Sequence, residues 1–172
     1  DRHGQQGHRD ALPSGQQHVQ LAGLRLRRDL QREVVASEEA RFATPGVKIG
    51  LFCSTPMVAV TRAIGRKRAM QLLLTGETID AATAADWGLV NQVVAADELD
   101  GAVRALAAKV ADASAVTLRI GKEAFYRQVD LPEDAAYEEM RETMATNAMT
   151  CDAQEGMSAF LAKRAPQWQH HD

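Results

Sequence analysis

Apolar and polar positions along this chain follow two different patterns, and the change falls near residue 35. Before it, residues 1–35 contain no Phe, Tyr, Trp, Ile or Met, yet hold six Gln and three of the five His. Leu21, Leu24, Leu30 and Val34 fall roughly on one face of an amphipathic helix, which is one reading of the segment. The other is an atypical lead-in, disordered or foreign to the rest of the chain through a frame shift or mistranslation. That reading is favoured because so little apolar surface cannot offset the entropy of ordering the chain.

After residue 35 the pattern predicts defined elements. Phe42-Ala43-Thr44-Pro45-Gly46-Val47-Lys48-Ile49-Gly50-Leu51-Phe52-Cys53-Ser54-Thr55-Pro56 reads as a short strand, a Gly/Pro bend and a helix start, with Ser54 or Thr55 as N-cap and Pro56 at the first helical position. Met57, Val60 and Ile64, then Met70, Leu73 and Leu74, recur at helical spacing with a break at Gly65, so two short helices are expected, ending at Gly76. Asp80 is placed to cap an Ala-rich helix that closes at Gly88, and Leu89–Val94 reads as a β-branched strand. A helix over Asp97–Ala113 carries Leu99, Val103, Leu106 and Val110 on its apolar stripe. Another runs from after Ser114 to Val129, burying Val116, Ile120 and Phe125 or a subset; Pro132 opens one that reaches Ala148, and Asp152 opens the last, which ends before Pro166. Such an array exposes more apolar surface than a lone helix layer can bury, and implies packing on a sheet or on another subunit.

Charge and cysteine use narrow the possible functions. The formal net charge is −3; six Arg against four acids give the first 35 residues +2, and fourteen bases against nineteen acids give the remainder −5. Neither part shows the dense basic stripe of a nucleic-acid or membrane-surface protein, and no apolar run approaches the ~18 residues of a membrane span. Cys53 and Cys151 lie far apart, with no metal-ligand spacing and no disulfide framework, so a reducing compartment and a cytoplasmic location are expected. With every His in a terminal segment, a Ser/His or Cys/His triad and a His-based metal site are not expected in the folded body. Cys53 near a helix start is either a thiolate nucleophile or a small packing residue, and the lack of a basic partner favours packing. Glu38 and Glu39 are adjacent, point to different faces and read as solvated turn residues. Arg66-Lys67-Arg68 reads as a solvated helix start.

Three blocks resemble one family. Ala36-Ser37-Glu38-Glu39-Ala40-Arg41-Phe42-Ala43-Thr44-Pro45-Gly46 with Ile49-Gly50, Leu74-Thr75-Gly76-Glu77-Thr78-Ile79-Asp80-Ala81 leading to Gly88-Leu89-Val90, and Glu155-Gly156-Met157-Ser158-Ala159-Phe160-Leu161-Ala162-Lys163-Arg164 are similar in order and spacing to the C-terminal half of the crotonase (enoyl-CoA hydratase/isomerase) superfamily, in detail to its enoyl-CoA hydratase domain-containing protein 3 branch.

The resemblance implies an α/β fold: the C-terminal part of a crotonase-type spiral ββα core over 36–95 and a helical trimerisation region over 96–172, predominantly helical as it stands. It implies an acyl-CoA ligand, coenzyme A entering as part of the substrate with no separate cofactor or metal, a homotrimer or hexamer, and a lyase or isomerase of fatty-acid metabolism. Hydration of an enoyl thioester needs one group to activate water, another to protonate the α-carbon, and two N–H donors for the enolate oxygen. The family's two glutamates would fall at Gly46 and near Leu26, where this chain has no carboxylate. A non-catalytic acyl-CoA-binding or oligomer-forming member is therefore the alternative, and a helical interaction domain with no CoA link is the blandest one. Phe52, Cys53, Ser54, Thr55 and Pro56 are expected to line the acyl or thioester end of the site. Phe160 and Lys163, three apart on the C-terminal helix, are expected to meet the CoA.

Overall fold

The computed structural model describes residues 33–171 together with the backbone of a strand at 18–20. The expectations for the rest of residues 1–32 lie outside the described residues. The chain divides into two compact units, 1–103 and 104–172.

The first unit is built on two small sheets. Strands β1 (His18–Gln20), β3 (Arg41–Ala43) and β4 (Ile79–Asp80) form one sheet in the order β1-β3-β4, β3 pairing parallel with β1 and antiparallel with β4. Strands β2 (Val35–Ser37) and β5 (Gln92–Val94) form a separate parallel pair with Ala36 opposite Val93. The expected strand over Leu89–Val94 is thus shorter. Leu89 and Val90 are buried, but the N–H groups of both donate to the carbonyl of Ala84, which holds them in a turn.

Helices α1 (Ser54–Ile64) and α2 (Arg66–Thr75) break at Gly65, and α2 ends at Gly76 in the left-handed region, as the spacing predicts. Helix α3 (Ala81–Asp86) is capped by Asp80, whose carboxylate accepts the Thr83 N–H at 2.8 Å and is held below its ordinary pKa by that bond. Phe42, Val60, Ile64, Leu72, Ala84 and Leu89 anchor the core between these helices and the strands.

Helix α4 (Leu99–Ala111) buries none of its residues: Val103 and Val110 are exposed. Its expected apolar stripe is present but only partly covered, with Leu99 and Leu106 half-buried. In the second unit, α5 (Ala115–Gln128), α6 (Glu133–Ala148) and α7 (Cys151–Leu161) pack on one another. Val116 and Ala124 of α5 and Ala159 of α7 are buried, while Phe125, expected inside, is 49% exposed.

The sequence alone does not reveal what ties this unit together. Asp152 is fully buried in the first turn of α7 and accepts three hydrogen bonds, from Ser114 Oγ at 2.6 Å and from the backbone N–H groups of Gln169 at 2.7 Å and His170 at 3.1 Å. The Ser114 bond first, then the two N–H donors, hold its pKa low against burial. The tail is fastened further by Trp168, whose Nε1–H donates to the Asp112 carbonyl at 2.7 Å and whose ring lies against Gly156 so closely that an added Cβ would sit 3.2 Å from it. Arg164 forks onto Glu155 at 2.6 and 2.8 Å.

Candidate functional site

Thr44, at the end of β3, is buried, and its Oγ1–H donates to the Leu72 carbonyl at 2.8 Å, which pins the start of the bend to α2. From there Pro45–Ile49 winds one 3-10 turn, with proline supplying the fixed φ of its first residue. Gly50, at φ 77°, reverses the chain in a conformation that favours glycine. Leu51 N–H then returns to the Gly46 carbonyl at 3.0 Å, and Gly46 N–H donates to Cys53 Sγ at 3.3 Å. The result is a closed knot of backbone around Gly46. A Cβ there would sit 2.7 Å from both Cys53 Sγ and the Leu51 carbonyl oxygen.

The knot projects side chains outward: Ile49 is 76% exposed, Leu51 64% and Phe52 43%. It also changes the helix start. The N-cap is Cys53, not Ser54 or Thr55, because Ser54 N–H bonds the Phe52 carbonyl at 2.7 Å and Ser54 is drawn into the first turn. Pro56 accordingly follows two residues inside the helix, and no side chain caps the end. Phe52, Ser54 and Thr55 are exposed, with Cys53 and Pro56 half-buried. The five expected pocket residues therefore lie together beside an uncapped helix N-terminus, with Cys53 engaged as an acceptor.

Phe160 and Lys163 belong to the second unit, and their expected common helical face is not formed. Helix α7 ends at Leu161, and Lys163 takes φ 52°, outside the helix. Phe160, 83% exposed, remains on the last turn. Glu38 and Glu39 are exposed in the β2–β3 turn, as read from the sequence.

His170, near the end of the chain, reaches the start of α5. Its Nδ1 accepts the Ala115 N–H at 3.3 Å, beside Ser114 and Asp152. The order of bonds is nevertheless not that of a nucleophilic triad. Ser114 gives its hydroxyl proton to Asp152 and accepts the Thr117 N–H as a helix cap, so no imidazole is positioned to activate it.

A groove of about 680 Å³ between α5 and α6 has Glu123, Glu138, Glu139 and Glu142 on its walls, with Arg127 tied to Glu139 at 2.6 Å. That wall repels a polyphosphate, so the groove does not suit a CoA nucleotide. Among the described residues, no three metal-ligating side chains cluster, and no helix is long and apolar enough to cross a membrane.

Comparison with known proteins bears on the origin of this arrangement. The model of the enoyl-CoA hydratase/isomerase family matches residues 26–171. The chain belongs to the enoyl-CoA hydratase/isomerase family. The match begins upstream of the run at Ala36 that carries the resemblance. Mitochondrial enoyl-CoA hydratase domain-containing protein 3 of Homo sapiens is 46% identical over 138 residues, 79% of this chain and 45% of that protein. Its counterpart in Danio rerio is 44% identical over 138 residues, 80% of this chain and 48% of the relative. An enoyl-CoA hydratase structure from Mycobacterium smegmatis superposes with a TM-score of 0.78 at 46% identity, over 79% of this chain and 53% of the other. The structure of the human domain-containing protein 3 superposes with a TM-score of 0.77 at 44% identity, over 79% and 54%. The chain spans about half the length of the curated relatives it matches, and its structure is a partial crotonase-type α/β fold.

Proposed function

We propose that this family member binds acyl-CoA thioesters, with the Phe52–Pro56 wall against the acyl or thioester end and with Phe160 and Lys163 toward the nucleotide. Coenzyme A enters as part of the ligand, and no further cofactor is needed. The observation that carries the reading is the bend itself, which turns Ile49, Leu51 and Phe52 outward beside an uncapped helix N-terminus. Hydration of 2-enoyl-CoA in fatty-acid metabolism is the activity family membership implies. Assembly as a trimer or hexamer is proposed on the same ground, and the exposed Val103 and Val110 on the stripe of α4 support it. The relatives' mitochondrial names support an organellar site in place of the cytoplasmic expectation.

A second reading, binding without turnover, is favoured by Gly46. The family's carboxylate position has neither an acid nor room for one, since a Cβ would collide with a backbone oxygen. Two experiments test these readings. Ligand-detected NMR with CoA and crotonyl-CoA should show binding by the wild-type chain, and its absence removes the acyl-CoA reading altogether. Spectrophotometric hydration of crotonyl-CoA separates the rest, because turnover by pure protein rules out the non-catalytic form.

A further inference from the structure

Two described residues other than glycine take a left-handed backbone, Lys163 at φ 52° and His170 at φ 63°. That region is disfavoured for any residue with a Cβ, and a helix end that enters it ordinarily does so with glycine. For His170 the structure holds the reason: its N–H donates to the buried Asp152 and its Nδ1 accepts the Ala115 N–H. The Lys163 side chain offers no such reason. It is exposed and, among the described residues, makes no hydrogen bond or ion pair.

The Lys163 backbone is nevertheless held from both sides. On the helix side, its N–H donates to the Phe160 carbonyl at 3.2 Å and the Arg164 N–H donates to the Ala159 carbonyl at 3.0 Å, the pair of bonds that closes a helix around a left-handed residue. On the tail side a single carboxylate holds the chain: Glu155 takes the Arg164 guanidinium at 2.6 and 2.8 Å and the Gln167 N–H at 2.8 Å. Its carboxyl, held at about 2 by these donors, is ionised throughout the neutral range. A strained residue persists only where its surroundings over-determine it, and such residues gather at functional sites. Here the strained residue carries a free ammonium, and its N–H ties it to Phe160, which is 83% exposed on the last turn of α7. A glycine at 163 would close the same helix end with less strain and no charge.

We propose that Glu155 is a positioning residue for the CoA end of the site: by clamping Arg164 and Gln167 it keeps Lys163 left-handed, and that conformation presents the ammonium to a phosphate of the ligand. The inference rests on the acyl-CoA reading and adds to it a residue that itself touches no ligand.

The test titrates CoA into the whole chain and its variants, well below their unfolding midpoints, with affinity read by calorimetry. Glu155→Gln is expected to weaken CoA binding at least about threefold, the scale of one partly exposed charge contact. In a Lys163→Ala background the same change should cost nothing further, because its effect passes through the ammonium, whereas a merely structural Glu155 would cost as much in both backgrounds. Lys163→Arg, which keeps a cation at the turn, should restore the sensitivity to Glu155→Gln. Lys163→Gly should raise the unfolding midpoint by relieving the strain and still lower CoA affinity at least about threefold. Glu139→Gln, which breaks the Arg127 pair elsewhere in the same unit, should leave the affinity unchanged. A wild-type chain that binds no CoA removes the acyl-CoA reading and this inference together. Binding by the wild type that Glu155→Gln leaves unchanged, or weakens equally with and without Lys163, overturns the inference alone, as does full affinity in Lys163→Gly.

Discussion

Position 46 is settled by space before chemistry. The backbone of Leu51 and the sulfur of Cys53 both sit 2.7 Å from where a Cβ would stand, so even alanine must push a peptide aside. Gly46→Ala is expected to destabilise the chain by about 1–3 kcal/mol, the usual cost of overpacking. Gly121, in the middle of α5, has nothing within 4 Å of its added Cβ. There Gly→Ala should stabilise by about 0.5–1 kcal/mol through helix propensity. Denaturant midpoints of the two variants should move in opposite directions. Equal shifts would mean that the knot around Gly46 is looser than its hydrogen bonds indicate.

Among the elements, those set by local chemistry are legible in the sequence, and those set by distant partners are not. The break at Gly65, the left-handed stop at Gly76 and the Asp80 cap each depend on residues within four positions. The start of α1 departs from its predicted position because the knot ahead of it, closed by Gly46 and Leu51, pulls Ser54 into the helix. In the sequence Asp152 is an ordinary acid in a helix first turn, where the dipole favours it. Its burial depends on Ser114, 38 residues earlier, and on His170, 18 residues later, and no periodicity encodes that. Of the candidate site, the cluster at 52–56 is readable from its glycines. Lys163 leaves its predicted helical face because α7 stops two residues short of it.

Helix α7 also carries a pH dependence with a definite sign. Arg164 first, then the Gln167 N–H, hold the Glu155 carboxyl at about 2, below its ordinary 4.5. A depressed carboxylate contributes stability that is fully present above the unfolded value and is lost as pH falls from about 4.5 toward 2. Asp152, lowered in the same direction, adds to the slope over the acid range. Thermal unfolding followed between pH 6 and pH 2.5, on the order of the carboxylate titration range, should therefore show a falling midpoint. Glu155→Gln should flatten that fall while lowering the midpoint at neutral pH. An unchanged slope would show that the Arg164 fork is too exposed to matter.

For the whole molecule, the two units differ in what completes them. None of the first unit's core residues draws on the tail, whereas the second unit closes through Trp168, Gln169 and His170. Ending the chain at Arg164 is expected to accelerate amide exchange in α5 and α7 and to leave the pairing of β2 with β5 unchanged. Exchange measured by mass spectrometry on both lengths checks this, and acceleration throughout would mean that the units stand or fall together.

The buried carboxylate of Asp152 also bears on how the protein is made. Chains emerge from the ribosome N-terminus first at roughly 5–20 residues per second. The described contacts of the first unit are available once Val94 is out, while Asp152 has no tail to receive until residue 170 follows. From Asp152 to His170 is 18 residues, roughly 1–4 s at that pace. Through it the faces of α5 and α7 lie open to chaperones and proteases, so a message truncated only a few codons early would yield a chain with a finished first unit and an open second one.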